Sequence, residues 1–306
     1  MSKSTISTFQ LFALVPDAET ARVWLESRLW PNGPRCPVCG TGDRITTRKG
    51  GYYRCNQCKE DFTVRTSTIF ERSHVPLHKW IYAMYLVVTA RKGISSMQLA
   101  KEIGVTQKTA WFVLGRLREA CGDAKLDKLR GIVEIDETYI GGKEGNKHEG
   151  KKLHAGRGGV GKTVVLGMRE RSGRTVARPV DGTDGETLRT EIRESVEPGA
   201  TIHTDEHRGY AGLSSDYQHE TIIHSAGEYA RDDGVTTNGI ESVWAVLKRG
   251  LHGVYHHASD KHLHRYVDEF TFRLNEGNVK RHTTQRLDSF VEGAAGKRLT
   301  YKDLIG

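Results

Sequence analysis

Three carboxylates stand in an order and at a spacing suited to holding a pair of divalent metal ions on a phosphodiester. Asp136 lies in Ile132-Val133-Glu134-Ile135-Asp136-Glu137-Thr138-Tyr139-Ile140, where apolar residues alternate with acids, the pattern of a strand with one face buried. Asp205 ends a second strand-like run, Ala200-Thr201-Ile202-His203-Thr204-Asp205. After 35 intervening residues Glu241 opens the helical pattern Ile240-Glu241-Ser242-Val243-Trp244-Ala245-Val246-Leu247-Lys248. Phosphodiester chemistry needs a water or a 3′-hydroxyl made nucleophilic and a leaving oxygen stabilised, and two Mg2+ ions about 3.5–4 Å apart do both in an in-line displacement. Mg2+ takes hard oxygen ligands and keeps several waters, so a few carboxylates suffice. Glu134 and Glu137 flank Asp136 closely enough to serve in its place, and spacing alone leaves that choice open. His203, two residues before Asp205 on the same strand face, either reaches the metal shell or packs.

A second metal signature is Cys36-Pro37-Val38-Cys39 followed, after 15 residues, by Cys55-Asn56-Gln57-Cys58. Two CxxC pairs at this separation read as a four-thiolate Zn2+ site, each pair a tight knuckle and the span between them a hairpin. Disulfides are the competing use, but the chain shows no secretory signal and Cys121 has no evident partner. So short a segment buries little core, so the zinc would fold it. Arg48, Lys49, Tyr52, Tyr53, Arg54, Lys59 and Phe62 interleave charge with rings, as a nucleic-acid surface would, while Tyr52 and Phe62 suit a small core equally.

The elements that must position these groups follow from periodicity. Asp17–Leu29 and Leu77–Thr89 read as helices, the latter too short and too tightly flanked by charge to span a membrane. Ile94–Val105, a turn at Gly104, and a helix capped by Thr106 make a helix-turn-helix, whose exposed start, Gln107, Lys108 and Thr109, would face a major groove. Strands are expected near 132–140, 163–170 and 174–180, and a helix over 185–196 ended by Pro198-Gly199. The strand before Asp205 follows, then a short helix near 210–213, a strand near 220–224, and helices carrying Glu241 and spanning Lys261–Leu274. Gly156-Arg157-Gly158-Gly159-Val160-Gly161-Lys162-Thr163 matches the GxxxxGK[ST] phosphate loop, but a Gly- and Lys-rich stretch precedes it and a strand pair follows it. That context argues against a nucleotide cofactor.

With these motifs on the page, the chain resembles insertion-sequence transposases of the DDE class, specifically the ISXO2-like group of the IS1595 family. The resemblance rests on Asp136-Glu137-Thr138-Tyr139-Ile140-Gly141-Gly142-Lys143 and on Thr204-Asp205-Glu206 with Tyr210. It rests also on Asn238-Gly239-Ile240-Glu241 through Trp244, Leu247-Lys248-Arg249-Gly250 and Tyr255-His256-His257, with the zinc ribbon ahead of them. It implies an α/β architecture: a ribonuclease H-like mixed-sheet catalytic domain preceded by a small zinc ribbon and a helix-turn-helix region. It further implies Mg2+ (or Mn2+) held by Asp136, Asp205 and Glu241, hydrolysis at the element ends, and transfer of 3′-hydroxyls into target DNA. Some members of the group use an Asn as third catalytic residue, and Asn238 lies three positions before Glu241. Glu241 is preferred because an anionic oxygen binds Mg2+ more strongly than an amide and because the spacing fits. Lys248, two helical turns after Glu241 and so on its face, is carried over as a catalytic-site cation on DNA phosphate, with Lys143, Arg249, His256 and His257 as DNA contacts. The partners so implied are the terminal inverted repeats and target DNA, bound by at least a homodimer because two ends are handled together. A catalytically silent, transposase-derived DNA-binding regulator is the alternative, and a simple metal-dependent nuclease is another; the presence of all three acids argues against the first.

Charge divides along the same line. The chain carries a net +8, with residues 1–130 contributing about +10 and the remainder about −2. The basic part is thus the expected DNA anchor, with a second candidate phosphate track in Lys147, Lys151, Lys152, Arg157, Lys162, Arg169, Arg171, Arg174 and Arg178. The expected segments are an N-terminal helical stretch (1–33), the ribbon (34–66), the helix-turn-helix region (67–130), the catalytic domain (131–280) and a C-terminal extension (281–306). Zinc-type cysteines without a targeting segment point to a prokaryotic cytoplasm, with the protein nucleoid-associated when bound to DNA.

Overall fold

Capping side chains set the helical frame of the N-terminal region. Helix α1 (Thr8–Leu14) starts from a reciprocal box between Ser7 and Gln10, and α2 (Ala18–Leu29) from Asp17, whose carboxylate accepts the Thr20 amide at 2.8 Å. Strands β1 (Ile45–Thr47), β2 (Tyr53–Cys55) and β3 (Asp61–Phe62) form an antiparallel three-stranded sheet. The apolar α3 (Leu77–Thr89) is buried along most of its length. Helix α4 (Ser96–Ile103) is capped by Ser95 and stopped by Gly104 at φ +61°, and α5 (Gln107–Cys121) is capped by Thr106. The computed structural model describes residues 5–122, 127–142, 144–153, 159–277 and 281–306. Among these no helix is long and apolar enough to cross a membrane.

The chain divides into two units, Met1–Ala124 with Glu276–Gly306, and Lys125–Asn275. The second is built on a five-stranded mixed sheet. Strands β4 (Ile132–Ile140), β5 (Thr163–Glu170) and β6 (Thr175–Val180) run antiparallel, helix α6 (Gly185–Ser195) follows, and β7 (Thr201–Thr204) and β8 (Gln218–Thr221) add in parallel beyond β4. The order is β6-β5-β4-β7-β8. Helices α7 (Asn238–Gly250) and α8 (Asp260–Glu276) complete the unit. Val133, Ile135, Leu166 and Met168 pack with Leu188 and Ile192 of α6 on one face of the sheet. Val165 and Ala177 pack with Ile240, Trp244, Val267 and Phe270 on the other. The alternation in β4 therefore does not mark a solvent-facing side, as the sequence suggested: both faces are covered, and its acids 134 and 136 point under α7.

The C-terminal segment is no loose extension. Helices α9 (Thr283–Ala294) and α10 (Tyr301–Ile305) belong to the first unit. The buried Arg116 guanidinium donates to the carbonyls of Leu299, Ile69 and Glu71 at 2.8–2.9 Å, and Lys297 donates to the carbonyls of Glu119 and Gly122 at the end of α5. A buried cation needs such acceptors, and that need ties the two chain ends together.

Candidate active site

Parallel pairing of β4 with β7 sets Glu134 opposite His203. Two residues further along each chain come Asp136, still on β4, and Asp205, the first residue beyond β7 rather than part of it. Asp136 Oδ2 accepts from Trp244 Nε1 at 2.9 Å, and Oδ1 accepts from the Glu137 amide at 2.9 Å. Burial, and then the neighbouring Glu137 and Asp205 carboxylates, push the Asp136 carboxyl up to about 7 against the pull of these two donors. The indole reaches Asp136 because its strand partner is Gly167: a Cβ there would lie 2.4–2.5 Å from Trp244 ring atoms.

Glu241 stands in the first turn of α7, half-buried. Thr237 Oγ1 donates to its Oε1 at 3.2 Å, and His224 Nε2 lies 3.6 Å away. Asn238 opens the same helix and is exposed. Lys248 and Arg249 lie exposed in its last turns. Lys248 shares a cavity with His256 and His257. Lys143 lies outside the described residues. Among the described residues, Asp136, Asp205 and Glu241 do not make a cluster with ligand atoms all within 4.8 Å of one another.

Several residues whose contacts the sequence left open, two of them candidate ligands, hold this arrangement. Glu134, 4% exposed, accepts the Ile240 amide at 3.0 Å and takes Arg171 Nη2 at 3.3 Å, so it anchors the start of α7 and is not free to act as a ligand. Tyr210, buried, donates to Glu137 Oε2 at 2.6 Å, and the adjoining carboxylates together with burial hold its hydroxyl protonated. Glu206 accepts the amides of Ser225 and His224 at 2.8–2.9 Å, which lower its carboxyl to about 2 and pin the loop after β8 beside Asp205. His203 is buried, lies 3.2 Å from Arg171 and accepts the Thr236 amide; it packs, and burial lowers its basicity. The motifs quoted for the family contained Trp244, Tyr210 and Glu206, but periodicity gave no sign of what they touch.

The arginines of the proposed phosphate track are mostly committed to the fold. Arg169 donates to the Gly239 carbonyl at 2.7 Å, Arg171 to that of Gly234 at 2.9 Å, Arg174 to that of Asp127, and Arg178 pairs with Glu191 and Glu194. The Gly161-Lys162-Thr163 end of the phosphate-loop pattern leads into strand β5, not into a helix. In α5, Gln107 is exposed with its amide on Ser96 Oγ at 2.8 Å. Lys108 lies over the Tyr301 ring at 5.0 Å, and Thr109 is half-buried with its amide on Thr106 Oγ1.

In the ribbon the four sulfurs of Cys36, Cys39, Cys55 and Cys58 all lie within 4.8 Å of one another, with Cys36–Cys58 at 3.5 Å and Cys39–Cys55 at 3.6 Å. These separations are far too long for disulfides and match the edges of a tetrahedron with Zn–S bonds of about 2.3 Å. Phe62 and Tyr53 stack at 5.5 Å with Trp30 edge-on to both, forming the ribbon core, while Tyr52 is exposed.

A ribbon whose four cysteines could hold Zn2+ and a mixed α/β unit with acids on and just beyond adjoining strands fit a transposase of the DDE type. Residues 128–275 match the ISXO2-like transposase domain, and residues 16–61 match the transposase zinc-ribbon domain. The chain is 32% identical over 238 residues to an uncharacterized protein in transposable element ISH50 of Halobacterium salinarum, covering 72% of this chain and 79% of that one. A crystal structure of a pre-cleavage Mos1 transpososome aligns over 72% of this chain and 80% of its own, at 13% identity and a TM-score of 0.28. The chain belongs to the ISXO2-like transposase family of the IS1595 insertion sequences.

Proposed function

We propose that this transposase binds the terminal inverted repeats of its element, hydrolyses the phosphodiesters at the ends and joins the freed 3′-hydroxyls to target DNA, using Asp136, Asp205 and Glu241 to hold Mg2+ or Mn2+. The observation that carries the reading is that Asp136, in the middle of β4, and Asp205, just past the end of β7, each lie two residues beyond the Glu134–His203 pair of these parallel strands, with Asp205 among the charges that raise the Asp136 carboxyl. A divalent cation between such carboxylates would favour their charged forms. The metal pair, when bound, supplies a nucleophile and neutralises the leaving oxygen. Asp136, Asp205 and Glu241 would hold the ions between them. Trp244 orients Asp136, and Glu134 with Gly239 sets where Glu241 begins its helix. The strand order β6-β5-β4-β7-β8 supports a ribonuclease H-like fold for this unit. The helix pair α4–α5, with Gln107 and Lys108 exposed at the tip, supports a helix-turn-helix reading of the first unit, and synapsis of two ends calls for at least a dimer.

Strand cleavage and joining on DNA carrying the native flanks of the coding region tests the reading. Wild-type protein with Mg2+ gives joined products; Asp136→Asn, Asp205→Asn and Glu241→Gln lose them while end binding persists. Asn238→Ala decides whether that amide replaces Glu241. End binding without cleavage by the wild type would make the protein a regulator.

A further inference from the structure

A cavity of about 310 Å³ opens at the carboxyl end of β4, with Tyr139, Asn146, Lys248, His252, His256 and His257 around it and no carboxylate among the described residues of its lining. The chain takes an unusual path to build it. Helix α7 runs on into a π-helical turn over Leu251–Tyr255, and His256 follows at φ +60°, ψ −39°. A residue with a Cβ is strained there, and both π-turns and strain of this kind gather at binding sites, where the surrounding structure holds them. Here the turn brings His256 and His257 to the same space as Lys248 and His252.

We propose that this cavity binds one nucleotide unit of a DNA strand, phosphate and base together; the inference rests on DNA being the substrate. Sign comes first: an ammonium, three imidazoles and an amide offer hydrogen-bond donors without a competing anion among the described lining residues, which suits phosphate. Size excludes phosphate alone, because a space of this volume falls where whole small-molecule ligands begin, at about 300 Å³. Shape points to a base, since the Tyr139 phenol and the imidazoles present flat faces, and every base can stack on such a face. A metal is the weaker occupant, since among the described residues these histidines do not bring three ligand atoms within 4.8 Å.

Full-length zinc-loaded protein labelled with 15N at its 14 histidines is titrated, with no Mg2+ or Mn2+ added, with the four deoxynucleoside 5′-monophosphates, with inorganic phosphate and with unphosphorylated deoxynucleosides. Single substitutions assign the three signals. The signals of His252, His256 and His257 move together and saturate with a monophosphate, and bind phosphate or nucleoside at least about tenfold more weakly. Lys248→Ala weakens the monophosphate by about tenfold. His256→Gly relieves the positive φ and melts higher, yet binds more weakly, which a merely structural histidine would not show. Phosphate binding as tightly as the nucleotide would reduce the cavity to an anion site and overturn the proposal. No saturable response below about 10 mM would overturn it as well. The titration needs no cleavage, so its failure is distinct from failure of the strand-transfer reading.

Discussion

Asp136→Asn should make the metal-free protein more stable at high pH while abolishing strand transfer, and the size of the effect follows from where the carboxyl sits. Its pKa is about 7 in the folded chain against an ordinary 3.8. The folded state therefore keeps a proton that the unfolded state has already released. Stability from this group is complete below pH 3.8 and is lost as pH rises through 7, by about 3 units at 1.4 kcal/mol each, or about 4 kcal/mol. An asparagine never ionises and escapes that loss. Its amide can accept only one of the two hydrogen bonds now made by Trp244 Nε1 and the Glu137 amide, a cost of about 1–2 kcal/mol. The variant should thus gain about 2–3 kcal/mol at pH 8 and almost nothing at pH 5. Of the five tryptophans only Trp244 lies in this unit. Urea titrations of 5-fluorotryptophan-labelled protein, read at the Trp244 resonance in chelator from pH 5 to 8, measure the quantity. An advantage that stays constant with pH, or a variant weaker than wild type at pH 8, would refute the argument. Added Mn2+ should stabilise the wild type at pH 8 and leave the variant nearly unchanged.

Gly167→Ala should cost unit Lys125–Asn275 about 2–4 kcal/mol, because its Cβ would drive the Trp244 ring aside by about 1 Å and break the bond to Asp136; an unchanged urea midpoint would show that the ring moves freely. Chelation of zinc, or Cys55→Ser, should release the metal and melt the Trp30–Tyr53–Phe62 cluster, followed as zinc appearing in a colorimetric chelator assay together with loss of near-ultraviolet dichroism. Leu304→Ala, which opens the contact made over Gly115, should destabilise the first unit by about 2–4 kcal/mol and leave the Trp244 resonance untouched, as urea titration of the same labelled protein would show.

What the sequence disclosed and what it withheld divide along the range of the forces involved. Capping and periodicity act within a few residues, so the bounds of α3, the turn at Gly104 after α4, the Thr106 cap of α5, the β5–β6 pair and the four clustered cysteines could be placed from local pattern alone. Cysteine spacing settles a site because four ligands on one ion leave little geometric choice. The covered outer face of β4 was misjudged because alternation of acids looks the same under a helix as under water. Glu134 shows why: its charge is met by the Ile240 amide and by Arg171, partners 106 and 37 residues away. The arginines around Arg171 looked like a phosphate track for the same reason, since a list of cations carries no sign of the carbonyls they will meet. The C-terminal helices were set apart because the acceptors of Arg116 and Lys297 become visible only when the chain closes.

Gly239 draws these threads into one physical statement about the motif Asn238-Gly239-Ile240-Glu241. Its absent Cβ would lie 2.4 Å from Glu134 Oε2, so only glycine lets that carboxylate reach the first amides of α7. An acid at a helix start is favoured by the dipole and by the unpaired amides there, and this one comes from the strand that also carries Asp136. The helix acid is thereby set against the strand acid at both ends of one short stretch: Glu134 holds the first turn, and Trp244 reaches down to Asp136 a turn later. Glu241 lies between the two anchors. Its backbone place relative to Asp136 is thus set by the fold itself, as the proposed metal site would require if it is to present a fixed geometry to DNA.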